Sequence, residues 1–113
     1  MTYRIYRLTD ASTIPLFTGS NSLRKLEMWP PKPEDYEQIW EGNNPGSDHL
    51  TLLEWVYVKF NMDKPMLFCT KHHSLSVGDI VSLTDREKTR TYFCDSFGWT
   101  ELPEFFKTVS AAE

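Results

Sequence analysis

Asp48-His49-Leu50-Thr51-Leu52-Leu53-Glu54-Trp55-Val56-Tyr57-Val58-Lys59-Phe60-Asn61 is the longest segment of the chain with a helical apolar repeat. Leu50, Leu53, Tyr57 and Phe60 recur at steps of three and four residues with Val56 beside them, the spacing of one face of an α-helix. Asp48 stands before the repeat as an N-cap, its carboxylate placed to accept from the open amides of the first turn. The helix is expected to stop near Asn61, with Pro65 beyond it. It is the main core helix, and the flanking segments are read against it.

On its C-terminal side, Leu75 and Val77 precede Gly78, and Asp79-Ile80-Val81-Ser82-Leu83 has the β-branched, apolar character of a strand. Asp85-Arg86-Glu87-Lys88 turns the chain into Thr89 to Cys94, where Thr91 and Phe93 alternate against Tyr92 and Cys94, so a β-hairpin is predicted. Phe97-Gly98-Trp99 and Leu102-Pro103-Glu104-Phe105-Phe106 supply apolar groups to close over the sheet. On the N-terminal side, Gly42-Asn43-Asn44-Pro45-Gly46 is a loop by its turn chemistry. Tyr36, Ile39 and Trp40 suit a strand or a short helix, and we read them as a strand. Trp29-Pro30-Pro31-Lys32-Pro33 forces an extended connector, because three prolines fix φ and remove amide donors. Ser20 or Asn21 caps a short helix running through Met28, with Leu23 and Leu26 on one face. Tyr3-Arg4-Ile5-Tyr6-Arg7-Leu8 alternates as a half-buried strand. The expected fold is α+β, a small antiparallel sheet packed against one main helix, in a single domain over residues 1–113.

Composition agrees with a folded domain: 40% of the 113 residues are hydrophobic and 14% aromatic, enough for a core without obligatory disulfides or metal. No apolar run approaches the roughly 20 residues of a membrane-spanning helix, and Met1 to Arg7 lacks the apolar core of a secretory signal. A cytoplasmic protein without membrane contact is expected. The net charge of -4 is unevenly placed: Glu27, Glu34, Asp35, Glu37, Glu41, Asp48 and Glu54 face only Lys32 between positions 27 and 54. Such an acidic stretch argues against direct nucleic-acid binding, which needs clustered Lys and Arg to replace counterions. It is either a solvated face or a surface that meets a basic protein partner.

Chemistry is sparse. The five glycines are scattered, so phosphate-cradling loops of the nucleotide-binding kinds are absent. Cys69, His72, His73, Ser74, Asp79 and Asp95 include the residue types of nucleophilic catalysis, but in no catalytic spacing, and the chain is not expected to be an enzyme. Cys69-Thr70-Lys71-His72 has the two-residue gap that wraps one ion, His73 adds a nitrogen, and Cys94 comes within reach if its strand pairs beside that loop. Cys69, His72, His73 and Cys94 are therefore the candidate ligands of a zinc ion. The alternatives are two buried cysteines acting as small hydrophobes, or a disulfide, which a reducing compartment disfavours. Trp40 and Trp55 lie in periodic segments and are expected in the core. Trp29 and Trp99, next to a proline and a glycine, are candidates for an exposed anchor, with a core place open for each.

The residues Leu53-Glu54-Trp55-Val56-Tyr57-Val58-Lys59-Phe60-Asn61-Met62-Asp63-Lys64-Pro65, then His73-Ser74-Leu75-Ser76-Val77-Gly78-Asp79-Ile80-Val81, then Tyr92-Phe93-Cys94-Asp95-Ser96-Phe97-Gly98-Trp99 resemble the YodL-like domain family in order and spacing. The front half fits more loosely, at Tyr3 to Leu8 and Asp35 to Gly42. The resemblance implies a domain of firmicute genomes and mobile elements with no established enzymatic activity. Cys69 and Cys94 depart from the family pattern, the second being more often aliphatic. By analogy with small acidic proteins of mobile elements, the expected function is a non-enzymatic, protein-binding anti-CRISPR inhibitor of a Cas9-type nuclease. Glu34, Asp35, Glu37 and Glu41 are the expected partner-binding residues. The alternative is a mobile-element interaction module, zinc-stabilised, with no nuclease target.

Overall fold

A computed structural model describes residues 1–10, 12–62, 74–103 and 105. In chain order the elements are β1 (Thr2–Leu8), α1 (Ser20–Lys25), a 3-10 turn (Pro33–Asp35), β2 (Tyr36–Asn43), α2 (His49–Met62), β3 (Ile80–Asp85), β4 (Lys88–Cys94) and β5 (Trp99–Glu101). The strands form one sheet in the order β2-β1-β3-β4-β5, every neighbouring pair antiparallel. The architecture is sheet-rich with one main helix.

The central strand β3 is buried from Ile80 to Leu83, as a strand covered on both faces must be. Ile5, Val81 and Tyr92 lie side by side across β1, β3 and β4 and, with Tyr3 and Leu83, face Leu52, Leu53, Val56 and Phe60 of α2. The next row, Tyr6, Ile80 and Phe93, points to the opposite face, where Leu8, Leu23, Tyr36, Leu102, Phe105 and Trp29 make a second apolar cluster. Alternation along each strand thus feeds two cores from one sheet.

The N-cap of α2 is the expected one: Asp48 Oδ2 accepts from Thr51 N at 2.9 Å and from Thr51 Oγ1 at 2.6 Å. The buried stripe differs from the expected one. It runs Leu52, Leu53, Val56, Phe60, whereas Leu50 is 68% exposed and Tyr57 also faces out. The helix is apolar nearly all round, so spacing permitted several stripes and packing selected one.

α1 also departs from expectation. Its N-cap is Gly19 with no side-chain cap, and Ser20 is the first helical residue. It ends at Lys25 rather than Met28, because Met28 N donates to Leu23 O and Glu27 N to Arg24 O, with Glu27 at φ 60°. That pair of bonds closes a helix with a left-handed residue after its cap. The proline segment contains a cis Trp29–Pro30 bond and then the 3-10 turn.

Tyr36 to Trp40 is a strand, as expected, but β2 continues through Gly42 and Asn43 into the expected loop. A Cβ at Gly42 would collide with the Tyr3 ring, so the glycine belongs to the ladder. The register shifts between Ile5–Trp40 and Tyr6–Gln38, leaving Ile39 as an extra residue. This is a β-bulge in an edge strand.

Candidate functional site

The acidic residues come first, since the expected function rests on them. Glu34 and Asp35 lie in the 3-10 turn, Glu37 and Glu41 in β2. In an unbroken strand, positions 37 and 41 would share a face. The Ile39 bulge reverses that: Glu37 pairs with Arg7 on the α2 side of the sheet, and Glu41 pairs with Arg4 on the other. Glu41 is held by Arg4, whose Nε lies 2.7 Å from its Oε1. An exposed pair of this kind contributes about 0.2–1 kcal/mol. Glu37 and Glu41 therefore share the edge strand but lie on opposite faces, with Glu34 and Asp35 in the turn before it.

Of the candidate zinc ligands, Cys69, His72 and His73 lie outside the described residues. Cys94 is a buried free cysteine on β4. Burial, and after it the negative charges of Asp79, Asp95 and Glu54, push its thiol up to about 12. A metal ion binding there would have to displace the thiol proton. Among the described residues no three His, Cys, Asp or Glu side chains converge as a metal site.

The remaining chemistry-bearing residues are taken up in separate networks. Asp79 forms a buried bidentate pair with Arg7, Nε to Oδ1 at 3.0 Å and Nη2 to Oδ2 at 2.7 Å. Its Oδ2 also accepts from Ser76 N at 2.8 Å, and Arg7 Nη2 reaches the Ser74 carbonyl at 3.1 Å. The pair thus ties β1 to the turn entering β3, with both ions supplied with further hydrogen bonds, as burial demands. Tyr36 closes the same corner, its hydroxyl donating to Gly78 O at 2.8 Å. Burial first, then the charges of Asp79 and Asp35, raises that hydroxyl above the ordinary tyrosine value. Asp95 belongs to a different corner, where it accepts from Ser20, Ser96 and Thr100.

The least expected surface is the outer side of α2. Trp55, Val58 and Met62 recur at three- and four-residue steps and are 38, 51 and 83% exposed. Trp55 was expected in the core. Instead its ring meets Tyr3 edge-on at 5.5 Å, with Lys59 Nζ 5.5 Å from the ring centre. Trp40 packs against Phe60, while Trp29 and Trp99 are half-buried against the two clusters. Glu54 of α2 is exposed as well, and Asp48 lies exposed at its N-cap. The signal for this surface was present in the sequence as a helix with too many apolar residues for one buried stripe.

No described helix is long and apolar enough to cross a membrane. A family model for the YodL-like domain matches residues 2–105. No curated protein and no solved structure matches the chain.

Proposed function

The chain belongs to the YodL-like domain family, and from that membership we propose that this α+β domain works by binding another protein through the outer face of α2 rather than by catalysis. The observation supporting this is the exposed series Trp55, Val58, Met62 on one side of a helix whose other side already fills a core. A surface helix is ordinarily polar on its outer side, and a run of exposed apolar side chains marks a docking surface. Glu54 and Lys59 beside the series favour a partner whose apolar groove has a rim of mixed charge.

The narrower proposal names the partner as a Cas9-type nuclease and the chain as an anti-CRISPR inhibitor of a phage or mobile element, acting in the bacterial cytoplasm. Such a nuclease holds nucleic acid in basic channels, and Glu34, Asp35 and Glu37 on the sheet edge would steer the encounter. DNA cleavage by guide-loaded Cas9, with and without the protein, followed by size-exclusion chromatography tests this. Inhibition with co-elution is expected. A Val58→Glu, Met62→Glu double variant with an unchanged thermal midpoint should lose both, and Glu34→Lys with Glu37→Lys should slow association. No inhibition across several orthologues would end the nuclease version. Full inhibition by the α2 variant would end the α2 version.

A further inference from the structure

The exposed apolar series of α2 has the order of a pairing helix. Trp55, Val58 and Met62 stand three and then four residues apart, the spacing of the apolar positions in a seven-residue repeat. At 3.6 residues per turn their stripe points about 140° away from the buried one. A helix laid against it leaves the core of Leu52, Leu53, Val56 and Phe60 untouched. Tyr3 braces the Trp55 ring edge-on, which seats the start of the stripe against β1.

The charges beside the stripe follow the same repeat. Glu54 immediately precedes Trp55 and Lys59 immediately follows Val58, so they lie on opposite flanks, each about 70° from the centre of the stripe. Glu54 is exposed and Lys59 is half-exposed, and among the described residues neither forms an ion pair within the chain. Both charges are therefore open to a partner.

Their placement selects which partner and in which direction. When two such helices run parallel about a two-fold axis, opposite flanks meet, and the residue before the first apolar position of one helix lies against the residue after the next apolar position of the other. Here Glu54 of one copy meets Lys59 of its partner, and symmetry makes that pair twice. In an antiparallel pair like flanks meet instead, so Glu54 and Lys59 stay on opposite sides. The face is complementary to itself in one orientation, apolar against apolar with opposite charges at both rims. We propose that α2 pairs in parallel with α2 of a second copy of this chain, in a two-fold dimer with the helices inside and the two sheets outside. The proposal rests on the reading of this face as a docking surface and names the second copy as its occupant in the free protein, which any other partner must displace.

Sedimentation velocity of the full chain alone, from micromolar to near-millimolar concentration, tests this. The mass should rise from that of one chain to that of two. Val58→Glu, in the exposed middle of the stripe, should abolish the rise. Glu54→Lys and Lys59→Glu should each weaken the dimer about tenfold, because either reversal sets like charges together at both rims, and the two combined should restore it. A chain that stays monomeric throughout would overturn the proposal, as would a dimer indifferent to Val58→Glu. A double reversal that regains nothing would overturn it too. No nuclease enters these measurements, so a monomeric chain whose inhibition is still lost in Val58→Glu, Met62→Glu would remove the second copy and leave the docking face standing.

Discussion

Asp95 joins three parts of the chain through one carboxylate. It accepts from Ser20 N at 3.0 Å and from the Ser20 hydroxyl, from Ser96 N at 2.8 Å and from Thr100 Oγ1 at 2.7 Å. It therefore caps α1 from a distance, supplying an open amide of the first turn with the acceptor that Gly19 cannot offer. Partial burial alone would raise this carboxyl, but the hydrogen bonds from Ser20, Thr100 and Ser96 outweigh it and bring it down to about 2. An unfolded aspartate titrates near 3.9. Since the folded value is the lower one, the contribution to stability is present above about pH 4 and is lost as pH falls towards 2. The thermal midpoint should accordingly fall more steeply between pH 4 and pH 2 in the native chain than in Asp95→Asn, and the variant should be the less stable at pH 7. Parallel curves over that range would contradict this role. In the sequence Asp95 was only one of several residue types suited to catalysis, because its main partner lies 75 positions away.

Among the elements, α1 shows where local rules mislead. Glutamate is a good helix former, so nothing in propensity stops the helix before Met28. The stop comes from the left-handed Glu27 after the cap, with Leu23 and Met28 brought together in the second cluster. Glycine adopts that backbone without a Cβ penalty, and it is the usual residue there. Glu27→Gly should therefore raise stability by about 0.5–1 kcal/mol, the left-handed penalty of about 1–2 kcal/mol less the extra chain entropy of glycine, read by urea denaturation. A loss of stability would mean that the Glu27 side chain contributes more than its backbone strain costs. β2 makes the same point for strands: one extra residue, Ile39, sends Glu37 and Glu41 to opposite faces. α2 makes it for burial, since the expected stripe included Leu50 and Tyr57 while Leu52 took a core position.

The whole molecule is held by two apolar clusters that share a sheet. Phe60 and Phe93 are fully buried, the first on the α2 side and the second against Trp29, whose ring lies 5.1 Å from it. Truncating either to alanine should cost about 3–5 kcal/mol. Because Ile80 and Val81 are adjacent residues serving different clusters, loss of one core removes support from the other. Unfolding of Phe60→Ala and of Phe93→Ala should then each show a single transition, coincident by near- and far-ultraviolet circular dichroism. Separate transitions for the two clusters would contradict one cooperative unit.

Several elements could be read from neighbouring residues alone. The α2 cap at Asp48, the alternation of β1 and the hairpin from β3 to β4 all depend on contacts within a few positions, where spacing and turn chemistry act directly. β2 was ambiguous by its own pattern and became a strand by pairing with β1. The order β2-β1-β3-β4-β5 sets β1 against strands far along the chain on both sides, and no local signal encodes that choice. The same holds for the exposed Trp55 and for Glu37 and Glu41 on opposite faces of the edge strand. Residue type states what a side chain can do, but its surroundings are set by segments distant in the chain, and those meet only when the sheet assembles.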